Sequence, residues 1–187
     1  GHPMTAQHSP QIRDLTLTAL AAAILCVVSP FTLSIGPIPL SLCTLFLYLI
    51  PYLVGWKRAT VATLVYILLG TAGVPVFSNF GAGLAKVAGP TGGYIVGYLP
   101  LVLISGLFVH LFPAKRWGQL AGMVLGTAVL YALGTAWFCI QSGKALAAAL
   151  ALCVFPFLLG DATKMAVSIA FGPMIRARME KASLLAD

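Results

Sequence analysis

Polar positions are so sparse along this chain that they punctuate long apolar runs. Taking charges, prolines and glycine clusters as boundaries, the pattern predicts helical spans at about 14–34, 40–55, 58–74, 92–112, 117–140 and 156–178. A bilayer-crossing helix needs roughly 20 apolar residues, with some tolerance for tilt. The second span is short and carries Pro51, so its ends are the least defined. From Ala145 to Met179 the sequence is predominantly apolar. As one helix it would run to ~52 Å at a rise of ~1.5 Å per residue, against a hydrocarbon core of ~30 Å. Pro156 is the natural break, since proline suits a helix's first turn and disrupts its interior. KALAAALALCV then becomes a short helix packed at one membrane face, and the sixth span begins near Pro156.

Composition makes the membrane reading firm. Of 187 residues, 60% are hydrophobic and 8% charged, and the mean hydropathy is +1.00. Soluble domains carry about 25% charged residues because water must wet their surface. The pattern predicts an all-α integral membrane protein: a single membrane domain of six transmembrane helices with packed external loops. No cleavable signal is expected, because the first apolar run is too long for a signal core, and GHP before Met4 reads as a cloning remnant.

The net charge of +7 would suggest nucleic acid in a soluble protein. Here the basic residues fall in pairs between apolar spans, which points to orientation in a bilayer, with no nucleic-acid partner. Six spans put Arg13, Lys57, Arg58, Lys115, Arg116, Arg176, Arg178 and Lys181 on one face, with Lys86 and Lys144 on the other and Lys164 within a span. The first face is then cytoplasmic, as are both termini, and segments 35–41, 75–91 and 141–155 are external. Cys26, Cys43, Cys139 and Cys153 lack metal-like spacing, and His2, His8 and His110 do not cluster, so neither a metal nor a cofactor is expected.

Three stretches carry candidate chemistry. In FLLGDATKM, Asp161 is the sole carboxylate between Asp14 and Glu180, and Lys164 follows one turn later on the same helix face. Charges within a span are costly and face cavities or partners. The pair either locks helices together or lines a ligand pocket opening outward; a proton relay would want further titratable groups, and the sequence supplies none. VPVFSNFGAGLAKVAGPTGGY, residues 74–94, joins two spans with five glycines and two prolines. Its apolar filler predicts a loop packed back over the helices. Asn79 can donate and accept there, while Gly92 and Gly93 permit either close ligand approach or tight helix packing. GPTGGY lacks the lysine-serine/threonine ending of a phosphate-binding loop. In SIGPIPLSL, two prolines favour an extended, non-helical segment. Ala19 and Ala23, at i and i+4 on the first span, allow close helix approach, either inside the protein or against a partner.

Taken in order, GPIPLSL, LLGTAGVPVF, GPTGGYIVGY and FPFLLGDATK resemble the biotin-binding S component of energy-coupling factor (ECF) vitamin transporters, the BioY family, over nearly the whole chain. The resemblance implies the S-component fold in a prokaryotic plasma membrane. It implies biotin capture from outside, and partners in a transmembrane T component and two ABC-type ATPases. The implied biotin site comprises Asn79, Gly92, Gly93, Tyr94, Asp161 and Lys164, and the implied T-component contact is Ala19 and Ala23. Asp161 would accept from the urea N–H groups, Lys164 would neutralise Asp161 and reach the urea carbonyl or else the carboxylate, and Tyr94 would cover the ring. No nucleophile and base are placed for a reaction, so an enzyme is not expected. The alternatives are an S component for another small vitamin, such as thiamin, or a non-transporting membrane scaffold.

Overall fold

The computed structural model describes residues 10–35 and 38–182; GHP, His2, His8 and the Gly36–Pro37 pair lie outside them. Helix α1 (Pro10–Val28) starts on a proline, whose fixed φ suits a first turn. It stops before Ser29 and Pro30, and proline cannot continue the helix's bonding. The first helix thus ends well short of position 34, where hydropathy alone would carry it. Thr32–Ile35 forms strand β1 instead, paired antiparallel with β2 (Ile38–Ser41), Thr32 opposite Ser41 and Ile35 opposite Ile38. β-Branched residues at these positions favour extended backbone. This hairpin is the one departure from helix among the described elements.

Helices α2 (Cys43–Val54) and α3 (Trp56–Ala72) are joined by Gly55 alone, at φ 90°, which glycine adopts without steric cost. The connection after α3 makes a 3₁₀ turn at Ser78–Phe80 and a short helix α4 (Leu84–Ala88). It is packed: Val76 and Phe77 are buried, and the Tyr66 hydroxyl donates to the Val76 carbonyl at 3.0 Å. Phe77 occupies the notch beside Gly70, where a Cβ would lie 2.3 Å from its ring. Helix α5 (Gly92–Leu111) follows, then α6 (Arg116–Ser142), which ends on left-handed Gly143. The last apolar run breaks at Pro156, with α7 (Leu146–Cys153), a 3₁₀ turn at Phe155–Phe157, and α8 (Leu158–Lys181).

Helices α5 and α6 lie closely against each other. A Cβ on Gly97 would sit 2.8 Å from the Leu130 side chain, and one on Gly122 would sit 2.3 Å from Phe108. Buried tyrosines then pin α2 to α6: the Tyr52 hydroxyl donates to Gln119 Oε1 at 2.7 Å, and Tyr48 bonds Thr127. Such hydroxyls need partners when buried.

The outside of the molecule is apolar. Leu15, Ile140, Leu159 and Trp117 are each more than 70% exposed, which in water would be prohibitive over so large an area. Residues 11–28, 92–111, 116–142 and the 146–181 stretch are long and apolar enough to cross a membrane. The chain is a multi-pass membrane protein.

Candidate functional site

Asp161 sits in the first turn of α8, 5% exposed. Tyr131, from the middle of α6, donates its hydroxyl to Asp161 Oδ2. Lys164, one turn along α8, approaches Asp161 Oδ1 at 3.4 Å. Its ammonium also donates to the Ser41 carbonyl at 2.7 Å and to Thr44 Oγ1 at 2.8 Å. An ammonium has three N–H donors, so all of them are taken by the protein. Lys164 thereby ties three elements together: the end of β2, the first turn of α2, and α8. The expectation that Lys164 donates to a ligand carbonyl does not match this arrangement. Asp161 differs, because a carboxylate offers about four acceptor positions and here receives two donors.

These residues wall a cavity that encloses about 540 Å³, counting space shared with solvent. The part of it open to the centre of a water-sized sphere is about 50 Å³, a narrow space. Its walls are Ser41 and Thr44 from the hairpin and α2, Ser78, Lys86 and Thr91 from the α3–α5 connection, and Tyr94, Ile95 and Tyr98 from α5. Leu130 and Tyr131 of α6, with Phe157, Asp161 and Lys164, complete it. The lining combines ionic and hydrogen-bonding groups with aromatic and aliphatic ones.

Of the residues singled out by the sequence, Tyr94, Asp161 and Lys164 converge here. The Tyr94 ring lies against Gly134, where a Cβ would be 2.5 Å away, and its hydroxyl donates to the Cys153 carbonyl. Asn79, Gly92 and Gly93 are not among the lining residues. Asn79 holds the loop in place: left-handed at φ 57°, it donates its backbone N–H to the Pro30 carbonyl at 3.1 Å and accepts from Thr32 through its side chain. Gly92 and Gly93 instead let α5 close on its neighbours, with Cβ positions 1.7 Å from the Val87 carbonyl and 2.6 Å from the Leu133 carbonyl respectively. Tight packing, the plainer of the two readings of these glycines, is what the geometry realises. Ala19 and Ala23 lie exposed on the outer face of α1.

Tyr131, Ser41, Thr44 and Lys86 were not picked out by sequence reasoning. A tyrosine in the apolar run AVLYALG was the available signal for the first, since its hydroxyl requires a partner within the membrane. All four cysteines are free, and among the described residues no three His, Cys, Asp or Glu side chains gather as a metal-ligand set.

A family model described as the BioY family matches residues 4–181. Over 123 residues the chain is 36% identical to the biotin transporter BioY of Thermotoga maritima, covering 66% of this chain and 72% of that one. Over 168 residues it is 32% identical to the biotin transporter BioY2 of Lactococcus lactis, covering 89% and 92%. A crystal structure at 2.1 Å of the S-component for biotin from an ECF-type ABC transporter superposes with a TM-score of 0.80. It shares 23% identity, over 89% of this chain and 92% of the other, and so speaks for the fold.

Proposed function

The chain belongs to the BioY family, and from that premise we propose that it captures biotin as the substrate-binding subunit of an ECF transporter. One observation carries the proposal at the level of chemistry. The sole carboxylate of the apolar body lines the cavity with acceptor capacity to spare. Biotin brings a cyclic urea with two N–H donors, an apolar thioether ring and a carboxylate on a flexible tail. Asp161 takes the urea N–H groups through charge-assisted hydrogen bonds. Tyr94 and Tyr98 cover the ring, and Lys164 keeps Asp161 neutralised while holding the hairpin over the site. Asn79 fixes the second covering loop to the first, and Gly92 and Gly93 seat the helix that carries Tyr94.

The subunit binds and carries its ligand; it does no chemistry on it. Energy for release comes from partners, a transmembrane T component and two ATPases on the cytoplasmic side. Ala19 and Ala23, small and exposed on α1, suit close approach by a helix of the T component. With six spans and the basic pairs inside, both termini are cytoplasmic and the cavity opens outward.

Equilibrium titration of the purified protein with labelled biotin tests the reading, with thiamin as the comparison. Submicromolar biotin binding without thiamin binding is expected. Binding of thiamin in place of biotin would end it.

A further inference from the structure

The described residues include three carboxylates, and each has its own cation: Asp14 with Arg58, Asp161 with Lys164, Glu180 with Arg176. Lys86 is left over. Its ammonium has neither a carboxylate nor a hydrogen-bond acceptor among the described residues, yet it lines the same cavity as Asp161. It stands on α4, in the connection that covers the site, half-buried. Its aliphatic stem runs past Gly81, where a Cβ would lie 3.1 Å from Lys86 Cε and 3.2 Å from Cδ. The absence of a side chain at that glycine gives the stem its course.

Charge balance gives this lysine its meaning. Asp161 and Lys164 cancel, so Lys86 leaves the cavity with one net positive charge. A half-buried cation without a partner is poorly solvated and attracts an anion. Asp161, on α8, and Lys86, on α4, come from different elements, so a ligand lying between them meets an acceptor from one and a cation from the other. We propose that Lys86 pairs with the carboxylate of the ligand and makes the site selective for a monoanion. This rests on the biotin reading, and it gives the ligand a direction: urea toward Asp161, tail toward α4.

The test titrates the full-length protein, Lys86→Met and Lys86→Arg with biotin and with biotinamide, in which the carboxylate has become a neutral amide. The native protein is expected to prefer biotin by about tenfold or more, the range of one charge-assisted hydrogen bond. Lys86→Met loses that factor for biotin while keeping its affinity for the amide, which also shows that it is folded, and Lys86→Arg restores the preference. Equal affinity of the native protein for both ligands, or an equal loss for both in Lys86→Met, would overturn the assignment and leave biotin capture intact. Failure of the native protein to bind either ligand overturns the biotin reading itself, and this inference with it.

Discussion

Asp161 and Lys164 touch the same cavity but answer to different demands. Lys164 donates to β2, α2 and α8 at once, so Lys164→Met cuts a three-way tie and strips a buried carboxylate of its cation. Removing one member of a buried pair costs about 3–5 kcal/mol, and the lower figure applies because the cavity shares space with solvent. A markedly lower thermal midpoint in detergent is expected for Lys164→Met. Asp161→Asn keeps an oxygen to accept from Tyr131 or Lys164, so its folding loss is smaller, while biotin affinity falls by about ten- to a hundredfold with the charge. Titration beside thermal unfolding separates the two variants. If Asp161→Asn unfolds without a selective loss of binding, the pair is a structural clamp. The two charges were legible in the sequence because ions are rare in apolar runs. Tyr131 was not, because its importance depends on which face of α6 meets α8, and no local pattern encodes that.

At the scale of elements, what went unread follows from neighbours that a linear pattern does not reveal. Gly92 and Gly93 look identical in sequence whether a ligand or Trp137 lies against them; Trp137 does, donating its indole N–H to the Gly89 carbonyl at 2.7 Å. The end of α1 was overrun because FTLSI is as apolar as a span, although Pro30 marked the true stop. The break at Pro156, by contrast, follows from length alone. The glycine seams give a prediction of their own. Gly134→Ala drives a Cβ into the Tyr94 ring, and Gly122→Ala drives one into Phe108 at the other end of the same interface. Overpacking of this kind costs about 1–3 kcal/mol, so both variants should melt at lower temperature. Only Gly134→Ala should also weaken biotin binding, by displacing Tyr94.

For the molecule as a whole, the basic pairs and the cavity must agree on which way is out. Single cysteines at Lys144 and at Lys115, in a background with the four native cysteines replaced by serine, test this in intact cells. An impermeant maleimide is expected to label position 144 directly and position 115 only after the membrane is opened. The reverse pattern would put the cavity mouth on the cytoplasmic side. Helix α6 adds a last point. Tyr131, level with Asp161, lies eleven residues short of Ser142, so the helix climbs about 16 Å past the Asp161 carboxylate at its usual rise. On the proposed reading, a vitamin held at Asp161 exchanges water for the hydrogen bonds and apolar contacts of the cavity wall. Departure gives up those contacts and returns the apolar ring to water, so letting go calls for outside work.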